Sequence, residues 1–131
     1  MAVVTRFEDL VAWQKARILA AAVYEGTRSP AFSKDFGLSS QVQRAAVSVI
    51  ANLAEGFERR RKAEFDRYVE IAKGSCAEVA SHPYIAFDVG YTTREQAEAL
   101  LEQTTELQRI VGGLRNSLAP PRNSDLGPLN S

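Results

Sequence analysis

The sequence predicts an all-α fold, an antiparallel up-down-up-down four-helix bundle. Three observations carry that expectation. Every long segment repeats its apolar residues at helical spacing, and none alternates with the period of two that marks a half-buried strand. Two segments hold regular seams stepping by four and three. The links between segments are short, which makes consecutive helices antiparallel neighbours. A chain of 131 residues buries a core of useful size without disulfides or metals. The bundle domain is expected over residues 1–118, followed by a tail at 119–131.

Thr5 and Glu8 have the spacing of a capping box, in which each side chain satisfies the other residue's free backbone N–H. The first helix then passes Trp13 and Tyr24 and stops at Gly26 or Arg28, before Ser29-Pro30. The connection SPAFSKDFGL is turn-rich, but Phe32 and Phe36 predict that it packs on the body. Ser39 or Ser40 is expected to cap the second helix, with Gln43 completing a box from Ser40 and Gly56 as the stop. Four cations follow: Arg59, Arg60, Arg61 and Lys62.

The third helix carries Phe65, Val69, Ala72, Cys76, Val79, Pro83 and Ala86 at alternating steps of four and three, a heptad seam. It reaches Gly90, which makes it on the order of 40 Å long. Pro83 has no N–H and crowds the preceding turn, a cost of roughly 3 kcal/mol inside a helix. A kink is therefore expected near Pro83, with a break as the alternative. The second helix should flank the third only over residues 62–80, leaving Pro83 beyond the overlap. Thr92 and Thr93 each begin a further box, with Glu95 and Gln96. The fourth helix repeats the seam as Leu100, Thr104, Leu107, Val111, Leu114 and Leu118, and its other side carries Glu95, Glu98, Glu102 and Glu106 for water. The tail APPRNSDLGPLNS has three prolines and little to bury, so it is expected to be disordered.

Sixteen basic and sixteen acidic residues leave no formal net charge, which excludes a chain-wide basic footprint for nucleic acid. A lone cysteine fits a reducing cytoplasm. The opening MAVVTRFEDL has no signal-peptide core. The longest apolar run, residues 18–24, falls far short of the roughly 20 residues that cross a bilayer. A soluble cytoplasmic protein with no membrane role is expected.

The second helix is unusual. In RAAVSVIANLAEG, small and branched apolar residues are interrupted by Ser48 and Asn52 and bracketed by Arg44 and Glu55. On a helical wheel Gln41, Arg44, Ser48, Asn52 and Glu55 form one narrow polar stripe. Val42, Ala45, Val49 and Gly56 flank it on one side, and Val47, Ala51 and Ala54 on the other. Ala46, Ile50, Leu53 and Phe57 lie opposite. A helix apolar around most of its circumference is buried on more than one side. A second subunit is therefore expected over its outer face, with the stripe satisfied across or beside that interface, because an unpaired buried amide costs about 1–3 kcal/mol. The alternative leaves Arg44 and Glu55 solvated and Ser48 bonded back to the Arg44 carbonyl.

FEDLVAWQKA, GLSSQVQRAAVSVIANLAEG and EFDRYVEIAKGSCAE together resemble the four-helix bundle family associated with intervening sequences in bacterial large-subunit ribosomal RNA. They are also similar to the accessory variability determinant proteins of diversity-generating retroelements. The likeness spans residues 7–118, and its most specific part is Q-x-x-R-A-x-x-S-x-x-x-N-x-A-E-G at residues 41–56. It implies an antiparallel bundle assembled as a homopentamer, with no catalytic residues. For the retroelement branch it implies a basic surface that binds nucleic acid and a reverse transcriptase. Pro83 and the basic run before the third helix depart from the family's pattern.

Catalytic, metal and cofactor sites are not expected. His82 has only Glu78 at helical reach, and the Glu-x-x-His pairs of di-iron bundles do not occur. Cys76 sits on a seam as a small buried thiol. Gly74-Ser75 and Gly112-Gly113 lie inside helices, where they would permit close packing. The candidate nucleic-acid surface is Arg59, Arg60, Arg61 and Lys62, joined at one pole by Arg6, Arg115 and Arg122 and opposed by Glu8, Asp9, Glu58 and Asp125. Several copies facing the same way would turn weak phosphate contacts into a multivalent surface. Alternatively these cations are solvated and paired with Glu58, Glu64 and Asp66. The reading is a non-enzymatic homo-oligomer assembled through its second helix, with RNA, DNA or a reverse transcriptase as the partner at the basic pole. Its rival is a scaffold or protein-interaction module with no nucleic-acid role.

Overall fold

In the computed structural model, which describes residues 3–123 and side-chain environments as far as Leu114, a 3-10 turn (Phe7–Asp9) leads into α1 (Val11–Gly26). A short α2 (Pro30–Lys34) then precedes α3 (Phe36–Arg59), α4 (Lys62–Asp88) and α5 (Arg94–Asn123). Among the described residues there is no strand, and no helix is long and apolar enough to cross a membrane. The four long helices close a ring: α1 packs on α3 and α5, and α4 packs on the same two. The expected second, third and fourth helices are α3, α4 and α5. Contacts between ends fix the alternation of direction. Gln43, near the start of α3, donates to Thr27 at the end of α1 at 2.8 Å, and Arg60 donates from the end of α3 to the Thr5 carbonyl at 3.3 Å.

The two seams form the core. On α4, Phe65, Val69, Ala72, Cys76 and Val79 are fully buried, and His82, Pro83 and Ala86 continue the buried row. On α5, Thr104, Leu107, Val111 and Leu114 are buried, with Leu100 half-buried beside them. Thr104 is tolerated there because its hydroxyl donates to the Leu100 carbonyl at 2.7 Å. The side chains of Leu118, Arg115 and Arg122 lie outside the described residues. The α5 backbone runs to Asn123, past the expected end at Leu118, and the rest of the expected tail, residues 124–131, also lies outside them.

Helix ends depart from expectation where a tertiary contact outweighs a local one. The Thr5–Glu8 box does not form: the chain makes its 3-10 turn instead, and Arg6 holds Glu8 at 3.7 Å and Asp9 at 3.5 Å. Leu10, only 2% exposed, is drawn into the core in an extended conformation, so α1 begins after it. By contrast, Thr93 and Gln96 do form a reciprocal box, at 2.9 and 3.1 Å.

Four or five residues earlier than expected, α3 starts because the Asp35 carboxylate caps it, accepting from the Leu38 N–H at 3.1 Å and from the Tyr91 hydroxyl at 2.9 Å. Ser39 bonds back to the Phe36 carbonyl, and Gln43 reaches Thr27 at 2.8 Å instead of completing a box from Ser40. Phe32 packs on the body as expected, 5.2 Å from the Tyr91 ring, whereas Phe36 is 75% exposed.

At its other end α3 passes through Gly56 and stops at Arg59, with Arg60 in the left-handed conformation at φ 64°. The longer α3 also overlaps Pro83, which the sequence reading placed beyond it: Gln41 lies against His82. Through Pro83, α4 stays one helix and does not break.

Candidate functional site

Around α3 the polar stripe turns out to be a ladder onto α4 of the same chain. Gln41 Oε1 meets His82 Nε2 at 3.3 Å, the Ser48 and Ser75 hydroxyls lie 2.8 Å apart, and the Tyr68 hydroxyl donates to Glu55 at 3.5 Å. Each step of seven along α3 is matched by a step of seven back along α4, as antiparallel helices in heptad register require. Asn52 sits between rungs, donating its amide to the Ser48 carbonyl at 2.8 Å and the Ser48 hydroxyl at 3.1 Å. Gln41, Ser48 and Glu55 thus find partners on α4, and Asn52 finds its own on the preceding turn of α3, all within one chain. The back-bond from Ser48 to the Arg44 carbonyl does not form. Arg44 alone of the stripe points to solvent with no polar partner among the described residues. The partners Tyr68, Ser75 and His82 were not singled out as a set. Their spacing of seven beside the α4 seam was the available signal.

The apolar flank of the stripe remains open. Val47 is 44% exposed, Ala51 is exposed and Ala54 half-buried. Ile71, 42% exposed, lies at the level of Ala51, each one turn beyond the Ser48–Ser75 contact. The buried side of α3 is formed by Val42, Ala45, Ala46, Val49, Leu53, Gly56 and Phe57. This chain therefore leaves a strip of small and branched residues on α3 uncovered.

The basic run gathers at the pole shared with the start of α1, as Arg60 on Thr5 requires, but much of its charge is compensated. Arg59 donates to Glu55 at 2.9 Å and to the Tyr68 hydroxyl at 3.0 Å, with Glu64 at 3.8 Å. The Glu55 hydrogen bond, with the charges of Tyr68, Glu55 and Glu64 behind it, raises the pKa of its guanidinium still further. Lys62 pairs with Asp66 at 2.7 Å, and Arg6 lies between Glu8 and Asp9. Glu58 makes no ion pair with the run among the described residues.

Arg60 and Arg61 have no carboxylate partner among the described residues; Arg60 lies over the Phe57 ring at 5.0 Å and Arg61 precedes α4. Aromatic rings do interleave with the cations in space, since Arg59 and Arg67 both lie against the Tyr68 ring, at 5.4 and 5.5 Å. Those faces are occupied by the chain's own arginines, so they do not stand ready for bases.

The ladder, the basic turn and nearly all of the helical core fall inside residues 8–113, which match the model of a protein family described as 23S rRNA-intervening sequence protein. The chain belongs to that family. Among solved structures, this family member is similar to a protein of unknown function from the S23 ribosomal protein family of Bacteroides thetaiotaomicron. The two share 24% identity with a TM-score of 0.74, over 82% of this chain and 100% of the other, and that likeness concerns the fold. No curated protein matches the chain.

Two further residues of this 23S rRNA-intervening sequence family member are packed into its frame. The imidazole of His82 is 5% exposed and has both nitrogens engaged, Nδ1 on the Glu78 carbonyl at 2.7 Å and Nε2 on Gln41. Burial pushes the Cys76 thiol up to about 11, away from nucleophilic reactivity near neutral pH. The glycines differ from expectation: a Cβ on Gly74, Gly112 or Gly113 would meet nothing within 4 Å, so close packing does not depend on them.

Proposed function

We propose that the chain is a non-enzymatic, cytoplasmic bundle whose copies associate through the outer face of α3. The observation that carries this reading is the strip of Val47, Ala51 and Ala54, still open after the chain has buried its own seams and satisfied its own polar ladder. Small residues let a neighbouring helix approach closely, and burying the strip removes apolar surface from water at roughly 25 cal/mol per Å². A second copy of the same chain is the occupant proposed, and five copies follow from the family resemblance. Light scattering on the purified chain tests this. A mass several times 14.4 kDa is expected, falling to a single chain when Val47 and Ala51 are both changed to Gln. A native mass near 14.4 kDa would remove the reading.

A second activity rests on Arg60 and Arg61, the cations of the run without carboxylate partners among the described residues. We infer that this pole contacts the phosphates of RNA or DNA, alone or beside a nucleic-acid enzyme such as a reverse transcriptase. The family's association with an intervening sequence of 23S rRNA supports a nucleic-acid context. A gel shift with structured RNA and duplex DNA at two salt concentrations tests it. Binding at low salt, lost on Arg60→Ala with Arg61→Ala, is expected. Binding unchanged by that pair, or absent at low salt, would favour a scaffold with no nucleic-acid role.

A further inference from the structure

Assembly through the α3 strip leaves open what the strip meets on the next copy. A patch that met its own image would close after two copies, so a larger assembly needs a second and different face. The outer side of α1 offers one. Val11 and Ile18 are 55% and 58% exposed, large apolar side chains outside the chain's own core. Lys15, Ala22 and Glu25 complete their row at steps of four and three, the spacing of a helix seam. The core-facing side of α1 is a separate one, formed by Ala12, Ala16, Leu19, Ala20 and Val23.

The two strips match in height, spacing, size and charge. Gln43 of α3 bonds to Thr27 at the end of α1, so Arg44 and Glu25 stand at about the same height in the bundle. Copies related by rotation about an axis along the bundle keep their heights, and α3 of one then runs antiparallel to α1 of the next. From Arg44 the strip on α3 advances through Val47, Ala51 and Ala54 to Glu58. From Glu25 the row on α1 returns through Ala22, Ile18 and Lys15 to Val11, at the same intervals. Large thus meets small at each apolar level, Val47 on Ala22 and Ile18 on Ala51, and Ala54 leaves room for the Lys15 stem.

Charge selects this direction. Arg44 has no polar partner in its own chain among the described residues, and it falls opposite Glu25. The Glu25 side chain is 77% exposed, and its surface pair with Arg28 contributes little. At the other end Glu58 falls one turn from the Lys15 ammonium, which meets Glu106 in its own chain. The reverse direction would set Glu58 against Glu25 and bring Arg44 within a turn of Lys15, like against like. In the ring of four helices α1 and α3 are neighbours, so their strips look out from adjacent corners. Occupying one leaves the other free, and each added copy turns the row until it closes.

We propose, building on self-association through α3, that the outer row of α1 on one copy receives the α3 strip of the next, with Arg44 paired to Glu25 across the contact.

Cysteine pairing on the full chain tests this, with Ala51→Cys and Ile18→Cys made singly and together at these exposed positions and the native chain as the control for buried Cys76. After mild oxidation and denaturing electrophoresis, neither single variant should link to itself. The two coexpressed should give linked pairs and nothing larger, and the double variant a ladder of higher multiples. Ala51→Cys linking to itself would show that the strip meets its own image, which overturns the proposal and leaves self-association standing. A double variant of multimeric mass without a ladder would do the same, whereas a native mass near 14.4 kDa would remove both readings. Should the cysteines themselves disturb assembly, charge reversal decides. Arg44→Glu and Glu25→Arg should each lower the mass by light scattering, and the two together should restore it. A combination that stays dissociated would overturn the pairing.

Discussion

A methyl group on Gly56 would sit 2.6 Å from Tyr68 Cβ, an atom anchored to the α4 backbone and unable to swing aside. Alanine gains about 1 kcal/mol in helix propensity over glycine. Overpacking at a fixed helix contact costs more, so Gly56→Ala should destabilise the fold by about 1–2 kcal/mol net, measured by urea denaturation. Glycine commonly ends a helix, and on that ground alone Gly56 is expected to be the stop. The actual stop is Arg60 in the left-handed region, where residue type offers no warning. Cys76 was legible from its place on the seam, and its burial has a consequence for pH. The thiol rises from 9.0 to about 11, so between those values the folded chain holds a proton that the unfolded chain has released. Stability from this source is complete below pH 9 and lost as pH rises through 11, about 2–3 kcal/mol at most. Melting curves across that window should fall less steeply for Cys76→Ala than for the native chain, and parallel curves would refute the assignment.

Between elements, the decisive feature is that α3 and α4 are joined by polar rungs at heptad spacing alongside an apolar seam. Each half was visible in the sequence: the stripe on one helix, and Tyr68, Ser75 and His82 on the other. Their pairing was not, because it depends on the offset between two helices, and that offset follows from where α3 begins. Ser40 has the better local box, but Asp35 answers both to the Leu38 N–H and to Tyr91 from a distant link, and the tertiary contact wins. The same reasoning explains why the Thr93 box formed while the Thr5 box yielded to the burial of Leu10. The apolar seams were legible as far as Leu114, since they need only periodicity. A double-mutant cycle with Ser48→Ala and Ser75→Ala tests the central rung. A coupling of about 1 kcal/mol in folding free energy is expected. Strict additivity would show that the two hydroxyls are independently solvated.

For the whole molecule, assembly and the basic pole make a joint prediction. Within the basic run one copy offers only Arg60 and Arg61 without carboxylate partners, so the pole of a single chain should release few counterions. Its RNA affinity should then fall with salt at a log–log slope of about −2. Copies joined side by side through α3 would present the same pole in one direction, and a long RNA touching several of them would bind with a steeper slope and an affinity higher by about a hundredfold. The double change Val47→Gln with Ala51→Gln leaves net charge unaltered and both arginines in place. Fluorescence anisotropy with structured RNA across a salt series should therefore show that variant binding weakly with the shallow slope, while the native chain binds tightly with the steep one. Arg60→Ala with Arg61→Ala should keep the native mass and lose the RNA. A single-chain variant that retained full affinity and the native slope would separate the two properties. Assembly would then have some purpose other than gathering positive ends.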